Sequence, residues 1–339
     1  MKKILFICGS LNQTTQMHKI SEHLNTDHEC HFAPYYADGF INLLAQMGWL
    51  DFTVLGGRHR HETDDYLKKH NLPVDLRGEK HRYDLVVSCS DLIVQKNIRK
   101  KRLILVQEGI TEPEGLAYKL VKWFKLPRYL ANTATNGLSD AYDIFCVASE
   151  GYAEHFIRKG VRPEKVAVTG IPNFDNVQEF NKNDFPFHGH VLVATSPLRE
   201  TFRFDDRKAF IQKCVQIAGN RKLIFKLHPL ENAERAMREI LKFAPESIVF
   251  THGNVSHIIA NAEVVITQQS TVTFVAVALD KEVHTNLDIA DLKKLMPIQN
   301  GDSSAAHIAR ICSRMLLNPV QELARIRSGS RSRVLGEPF

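Results

Sequence analysis

The hydrophobic and polar positions of the chain alternate in blocks, with short apolar runs separated by longer amphipathic stretches. Most of the apolar runs are continuous, which is typical of strands buried on both faces of a parallel sheet. The predicted strands are residues 4–8, 85–89, 103–107, 144–148 and 166–169, then 191–195, 223–228, 248–250, 264–267 and 282–285. The predicted helices are residues 15–24, 151–159, 206–218, 231–243 and 271–279. This repeated succession of strand and helix predicts an α/β protein.

One segment interrupts the pattern. Residues 170–189, GIPNFDNVQEFNKNDFPFHG, are rich in Pro, Asn, Asp and aromatic residues and show little periodicity, which is typical of an interdomain linker. The sequence therefore predicts two Rossmann-like domains, residues 1–175 and 188–320, facing a cleft and joined by a linker at 176–187. Residues 321–339 read as a basic, flexible tail.

Composition narrows the class of protein. The chain has 339 residues, of which 44% are hydrophobic and 24% charged, values that exclude a disordered or fibrous protein. No apolar run reaches the length of a membrane span, and the first apolar run lacks a signal-peptide cleavage site, so we expect a cytoplasmic protein. The net charge of +6 is concentrated locally, whereas nucleic-acid binding usually needs a broader basic face.

Metal and disulfide chemistry are not indicated by the sequence. The six cysteines include no CxxC pair and lie largely in apolar runs, which predicts reduced thiols in the core. Two clusters mix metal-ligating residue types, at 28–31 (HECH) and 59–62 (HRHE), but neither has a second half at zinc spacing. We therefore predict no metal and no cofactor.

Polar residues follow the strands of the first predicted domain, where ligands of open α/β sheets bind. Gly9 and Ser10 come after the first strand with His18 further on; they suit contacts with an acceptor, or Ser10 simply caps the next helix. Glu108 and Gly109 follow residues 103–107. A carboxylate beside a glycine at a strand end is well placed to act as a general base, the alternative being a solvated acidic loop.

Between Tyr118 and Tyr129 the sequence YKLVKWFKLPRY interleaves basic and aromatic residues. Such a stretch is able to rest on an anionic membrane surface as a peripheral contact, or to form a packed helix with a solvated lysine face.

The second predicted domain carries residues suited to phosphate. His228 precedes a proline at a strand end and adjoins a helix start, so imidazole and helix dipole together suit a nucleotide leaving group. A hydroxyl pair opens the helix after residues 264–267, where backbone N–H groups are also available, although a plain helix cap would look the same. The predicted nucleotide- and phosphate-binding residues are Lys226, Pro229, Glu231 (for ribose hydroxyls), Gln269, Ser270, Thr271, Ser196 and Arg199.

Three of these motifs carry a family resemblance. Gln107-Glu108-Gly109, His228-Pro229 and Ser270-Thr271 resemble the acidic-Gly, His-Pro and Ser-Ser/Thr motifs of bacterial sialyltransferases, capsule Kdo transferases and CDP-glycerol glycerophosphotransferases. The resemblance implies a GT-B fold, with an acceptor-binding first domain and a donor-binding second domain. It implies that Glu108 is the catalytic base and that His228 and the hydroxyl pair hold the nucleotide phosphate. Gln107 departs from the motif, which has an acid there.

We therefore expect a metal-independent glycosyltransferase. Its donor would be a nucleotide-activated sugar of the CMP-sialic acid or Kdo type, its acceptor a surface polysaccharide or lipid-linked glycan, and its outcome inversion. Residues 168–173, VTGIPN, also resemble a turn of UDP-N-acetylglucosamine 2-epimerases, so an epimerase-like enzyme and a CDP-glycerol glycerophosphotransferase stay open as alternatives. A non-catalytic nucleotide-sugar-binding assembly protein is the third alternative.

Overall fold

The structure is a computed structural model that describes residues 1–51, 53–109, 111, 114–124, 126–201, 203–268, 270 and 272–335. The chain divides into two compact units. Unit 1 comprises Met1–Asp175 and Pro297–Phe339, and unit 2 comprises Asn176–Met296. Each unit is built on a parallel sheet, so the predicted α/β class with two Rossmann-like domains is confirmed. Within the described residues, no helix is both long and apolar enough to cross a membrane.

The strands follow the chain in the predicted order, with one addition. Their bounds are β1 Lys2–Ile7, β2 His28–Ala33, β3 Leu85–Ser88, β4 Arg102–Val106, β5 Ile144–Val147, β6 Val166–Val168, β7 His190–Ala194, β8 Leu223–Lys226, β9 Ile248–Phe250, β10 Ala262–Thr267 and β11 Glu282–His284. Strands such as β3, β5 and β7 are buried along their whole length because helices cover both sheet faces, which explains their continuous apolar runs.

Helices connect the strands. Their bounds are α1 Leu11–Glu22, α2 Gly39–Gln46, α3 Gly57–Lys69, α4 Leu116–Phe124, α5 Glu150–Lys159, α6 Arg207–Ala218, α7 Ala233–Phe243, α8 Val255–Asn261, α9 Val272–Ala278, α10 Ile289–Lys294, α11 Ser304–Leu317 and α12 Pro319–Leu335. Short 3₁₀ helices occupy Arg128–Thr135, Pro163–Lys165 and Val177–Asn181.

The strand orders are those of doubly wound parallel sheets. Unit 1 has the order β2-β1-β3-β4-β5-β6, and a bridge between Phe32 and Val74 adds a further position beside β2. Unit 2 has the order β9-β8-β7-β10-β11. In both sheets the order reverses beside the first strand of the unit, between β1 and β3 in unit 1 and between β7 and β10 in unit 2. Ligands of doubly wound sheets bind beyond the carboxyl ends of the strands at such a switch point.

The C-terminal segment differs from the predicted domain boundary. Residues 297–320 were expected to end the second domain, and 321–339 to form a flexible tail. Instead Ile308 and Cys312 of α11 and Ile326 of α12 are buried in the core of unit 1. A helix can bury its apolar face against either neighbouring sheet, and the local sequence does not say which. Most of the predicted tail is helix α12.

Two other predictions also differ from the structure. The predicted linker at 176–187 belongs to unit 2, where its 3₁₀ helix packs on α8 and Asn183 accepts a hydrogen bond of 2.7 Å from Asn261. The HECH cluster at 28–31, whose sequence does not predict a strand, begins strand β2. Among the described residues there is no group of three or more potential metal ligands, and all six cysteines are buried free thiols.

Candidate functional site

The switch point of unit 2 is organised around the Glu231 carboxylate. Glu231 lies just after β8, and its side chain is only 1% exposed. One oxygen accepts hydrogen bonds from the Thr195 hydroxyl and, at 2.9 Å, from the backbone N–H of His228. The other accepts from Arg207 Nη2 at 2.7 Å. Both oxygens therefore serve internal bonds that fasten the His-Pro turn to the end of β7, which differs from the predicted contact with ribose hydroxyls.

His228 is half-buried at this turn, and its ring orientation is defined. Its Nδ1 accepts the N–H of Leu230 at 3.1 Å, so in the neutral imidazole the proton lies on Nε2. An Nε2–H is a donor suited to a phosphate oxygen, and the phosphate role of His228 stays a prediction. Pro229 follows on the surface and, lacking an N–H, allows the chain to leave the sheet.

Arg207 and Asp205, which the sequence did not single out, continue this network. Arg207 Nε lies 2.9 Å from Asp205 Oδ2, and Asp205 Oδ1 accepts from Gln268 Nε2 at 3.2 Å. Arg207 and Gln268 are 5% and 8% exposed. Arg207 Nη1 and Gln268 Oε1 have no hydrogen-bond partner among the described residues. Because buried polar atoms are nearly always paired, these two indicate room for a polar ligand or water at the ends of β7 and β10.

Three residues predicted to meet phosphate have other contacts. Arg199 forms a bidentate pair with Glu239, with N–O distances of 2.9 and 2.6 Å. This bond raises the pKa of Arg199 and lowers the pKa of Glu239. Lys226 is buried, and its Nζ donates to the carbonyls of Leu227 and Thr251 at 2.9 and 3.3 Å. Ser196 is buried too. All three residues lie at or just after strand ends, and the sequence did not reveal the partners of Arg199 and Lys226.

The hydroxyl pair of unit 2 is described only in part. Ser270 caps α9, accepting the backbone N–H of Val272 at 3.4 Å on its Oγ and the Thr273 hydroxyl at 2.8 Å on its carbonyl. The predicted residues Gln269 and Thr271 lie outside the described residues. The phosphate role of this pair stays a prediction.

In unit 1, Glu108 lies beyond the end of β4 and receives three side-chain hydrogen bonds from the start of α1. Gln13 Nε2 donates to Oε2 at 2.6 Å, while Ser10 Oγ and Asn12 Nδ2 donate to Oε1 at 3.0 and 3.3 Å. The carboxylate is partly exposed, so it is held in a fixed orientation and still reaches solvent. This arrangement suits a group that accepts a proton from a bound substrate.

Ser10 and Gln13 form half of a helix-capping motif. Ser10 Oγ accepts the backbone N–H of Gln13 at 3.2 Å, as in a Ser-x-x-Gln capping box. The Gln13 side chain binds Glu108 instead of returning to the cap, a departure that only the structure reveals. Gly9 makes this possible, because a Cβ at that position would lie 2.3 Å from Gln13 Oε1. Ser10 therefore caps α1 and also contacts Glu108, while its predicted contact with an acceptor stays a prediction.

The contacts of the Gln107 side chain explain why glutamine replaces the acid of the motif at this position. The side chain is buried, and its amide nitrogen donates to the Gly109 carbonyl at 2.9 Å. Its amide oxygen accepts the N–H of Ala148, also at 2.9 Å. A carboxylate cannot donate the first of these bonds, so glutamine fits this position for a structural reason. The bonds hold the Glu108–Gly109 turn against the end of β5.

His18, a predicted cleft residue, and Asp91, which the sequence did not single out, have separate surroundings in unit 1. The His18 ring packs on α3, with Nδ1 3.0 Å from the Tyr66 hydroxyl and the His70 ring alongside. Burial lowers the pKa of His18, partly offset by Glu22. Asp91, after β3, is fully buried and binds Arg128 and the N–H groups of the 137–139 turn. Glu108 is therefore the better placed of the two strand-end acids for chemistry.

Comparisons with known proteins agree with the fold. No protein-family model matches the chain, and no curated protein sequence does. Among solved structures, UDP-GlcNAc 2-epimerase from Neisseria meningitidis bound to UDP-GlcNAc matches with a TM-score of 0.56 and 11% identity, over 98% of this chain and 99% of that one. The Methanocaldococcus jannaschii enzyme in complex with UDP-GlcNAc and UDP matches with a TM-score of 0.55 and 15% identity, over 92% and 99%. Anabaena Alr3699/HepE in complex with UDP gives 0.51 and 13%, over 98% and 95%.

These similarities confirm the GT-B-like fold class. At such low identity they show the fold alone. The resemblance to sialyltransferases, Kdo transferases and CDP-glycerol glycerophosphotransferases stays a prediction.

Proposed function

We propose that this protein is an enzyme acting on a UDP-activated sugar, and that its reaction is inversion at carbon 2 of UDP-N-acetylglucosamine. The observation that supports nucleotide binding is a pair of buried polar atoms at the switch point of unit 2, Arg207 Nη1 and Gln268 Oε1, which have no hydrogen-bond partner among the residues that the structure describes. The fold similarity to epimerases that bind UDP-GlcNAc supports the substrate and the reaction. This similarity favours the epimerase-like enzyme, one of the alternatives that the sequence left open, over the CMP-sugar transferase.

The residues of unit 2 suit the nucleotide. Arg207 Nη1 is a cationic donor, Gln268 Oε1 is an acceptor, and His228 Nε2–H is a donor at a half-buried position. A nucleoside diphosphate offers complementary groups, since its phosphates accept hydrogen bonds and its base and ribose also donate them. Glu231 would act indirectly, by holding Arg207 and the His228 turn in place.

Glu108 suits the proton transfer. Inversion at carbon 2 balances when the hydrogen leaves as a proton, the electrons of that C–H bond expel UDP from carbon 1, and a proton is returned to the opposite face of carbon 2 as UDP bonds to carbon 1 again. The reaction therefore needs one group that accepts a proton and one group or water that supplies a proton. Glu108 is partly exposed and oriented by Ser10, Asn12 and Gln13. Removing a general base typically lowers turnover by about 10²–10⁴-fold.

The first experiment measures nucleotide binding and the reaction separately. Thermal shifts with UDP, UMP, CDP and CMP measure base preference, and a ligand at 100 times its dissociation constant adds about 2.7 kcal/mol of stability. We expect UDP to stabilise most. NMR of UDP-N-acetylglucosamine in D₂O then follows the carbon-2 epimer and deuterium entering at carbon 2. Stabilisation by CMP or CDP instead of UDP would contradict the proposed substrate.

A matched pair of variants tests Glu108. Glu108→Gln keeps the shape of the side chain and removes the base, so turnover should fall while UDP binding persists. Glu114→Gln makes the same change at an exposed acid six positions later and should leave turnover unchanged. Equal turnover in both variants would remove Glu108 from the mechanism.

A second candidate function, sugar transfer, is favoured by one observation. Of the acids that directly follow β3 and β4, Asp91 is buried and fully engaged, which leaves Glu108 as one base. Direct displacement needs one base: the acceptor hydroxyl gives its proton to Glu108, its oxygen bonds to the sugar, and the bond to UDP breaks. UDP release that requires an added glycan acceptor, with no deuterium entering UDP-N-acetylglucosamine, would establish transfer and contradict epimerisation.

A further inference from the structure

Unit 1 exposes large apolar side chains on α2 and on the turn that follows it. None of the eight residues of α2 is buried. Trp49, just after the helix, is 64% exposed. The other exposed large apolar residues of this segment are Phe40, Leu43 and Met47. Protein surfaces rarely expose so many large apolar side chains within ten residues unless a binding partner or a membrane covers them.

Helix α4 and the residues that follow it as far as Leu130, together called the α4 segment, also expose large apolar side chains. Tyr118 and Val121 face inward, packed on Ala131 and Ala134 of the adjoining 3₁₀ helix. On the other side Trp123 is 82% exposed and stacks on Phe124, which is 62% exposed, with ring centroids 5.6 Å apart. Leu120, Leu126 and Leu130 extend this exposed apolar surface.

A cavity of about 940 Å³ joins the two segments. Ile41 of α2 lines it on one side and Val121 of α4 on another, and its apolar lining continues with Leu92 and Leu138. Its charged lining residues are Arg99, Lys122, Arg128 and Lys159, with one acid, Asp38. Arg128 is paired with the buried Asp91 and Lys159 is buried, so Arg99 and Lys122 are the exposed cations of the lining. An apolar cavity with a cationic lining matches an anionic head group attached to a hydrocarbon chain.

Exposed basic residues lie on α4 and on the β3–β4 connection, and two of them, Arg99 and Lys122, line the cavity. Lys119 and Lys122 lie on α4 beside Trp123, and Lys96, Arg99 and Lys100 lie on the connection between β3 and β4. Interfacial helices combine these features, because lysines meet anionic head groups while tryptophan, phenylalanine and leucine enter the head-group boundary. The charge complements an anionic bilayer.

We propose that α2, the α4 segment and the cavity between them form a docking surface for an anionic phospholipid bilayer, with Trp49 and Trp123 inserted at the head-group level and one lipid head group received by the cavity. The proposal is independent of the reaction proposed above. It confines membrane contact to unit 1 and extends the sequence prediction for Tyr118–Tyr129 to a second helix and a lipid pocket.

The tryptophans provide the test, because Trp49 and Trp123 are the two tryptophans of the chain and both are solvent-exposed. Intrinsic fluorescence of the full chain is recorded with vesicles of equimolar phosphatidylcholine and phosphatidylglycerol, and with phosphatidylcholine alone. We expect a blue shift and loss of iodide quenching with the anionic vesicles, reversed by high salt. Trp49→Phe and Trp123→Phe report each segment separately, and both should shift.

Vesicle sedimentation supplies the matched controls. Trp123→Ser combined with Phe124→Ser should weaken binding by about tenfold or more, and Lys122→Glu by at least about fivefold, the effect of one charge at an anionic surface. Leu317→Ser, at an 82% exposed position on α11, should change nothing.

Three outcomes would overturn the proposal. They are no binding to anionic vesicles, equal binding to neutral and anionic vesicles, and a dimer that Trp123→Ser dissociates while vesicle binding is absent, which would assign the surface to a second copy of the chain. UDP thermal shifts of the same variants should match those of the unmodified chain, so a failure here is distinguishable from a failure of the proposed function.

Discussion

Two arginine–glutamate pairs of unit 2 allow a stringent test of the switch-point network. Arg207 and Glu231 have side chains 5% and 1% exposed, whereas Arg199 and Glu239 are 26% and 29% exposed. Breaking a buried pair costs about 3–5 kcal/mol, because it leaves an uncompensated charge. The Arg199–Glu239 pair is partly exposed, so water solvates both groups, and we expect it to contribute about 0–1 kcal/mol, close to the value of a surface pair. The two glutamates therefore differ in expected effect although each forms a hydrogen-bonded pair with an arginine.

The contacts of Glu231 narrow the expected loss of folding stability in the Glu231→Ala variant. The change removes the acceptor of three donors, Thr195, the His228 N–H and Arg207, but Asp205 remains beside Arg207. We therefore expect the lower end of the range for a broken buried pair, about 3 kcal/mol. Glu239→Ala should cost about 1 kcal/mol or less, since water replaces the lost partner.

The assay has to report unit 2 alone. Both tryptophans and all eight tyrosines lie before residue 153, in unit 1, so fluorescence does not follow unit 2. Hydrogen exchange of peptides covering β7 and β8 does. For amides that exchange through global opening, Glu231→Ala should accelerate exchange roughly a hundredfold and Glu239→Ala at most about fivefold. An equal or larger effect of Glu239→Ala would refute the argument that burial governs these pairs.

Three further changes have defined outcomes. Gly9→Ala places a Cβ against Gln13 and displaces its amide from Glu108, so turnover should fall about tenfold with little change in Tm; a lowered Tm at normal turnover would contradict this. Gln107→Glu should destabilise unit 1 by about 3 kcal/mol in fluorescence-monitored urea unfolding, because it removes a buried donor and adds a buried charge. Burial lowers the pKa of His190 to about 4, below the roughly 6.5 of an unfolded chain, so unit 2 should lose stability as the pH falls from about 6.5 to about 4. His190→Phe should flatten that slope in hydrogen exchange, and an unchanged slope would show that other groups cause it.

The sequence predicted the central strands well because burial on both faces leaves an unambiguous apolar run. It missed β2, HECHFA, whose first two residues and fourth residue are only partly buried at the side of the sheet. It missed α3, GRHRHETDDYLKK, because that helix is mostly polar and packs through few residues, Leu67 among them. In both segments the packing partner, rather than the local pattern, determines the structure.

The sequence predicted which strand ends carry the candidate site residues, but it did not predict the hydrogen-bond partners of those residues. Sequence alone locates Arg199 and Glu231 beside a switch point, but their partners, Glu239 and Arg207, are 40 and 24 residues away. One signal was available: Arg207 is the first residue of α6, where a cation opposes the helix dipole. A cation in that unfavourable position indicates a buried acidic partner.

The return of the chain to unit 1 has a consequence for biosynthesis. The chain leaves unit 1 after Asp175 and re-enters it at Pro297, and both ends are joined there, since Asp175 accepts the N–H groups of Gly301 and Ser304 at 3.0 and 2.8 Å. Unit 2 is thus completely synthesised before α11, which carries Cys312 into the core of unit 1, leaves the ribosome. The inserted unit is able to fold first on the ribosome, while the sheet that precedes it waits for its last helices.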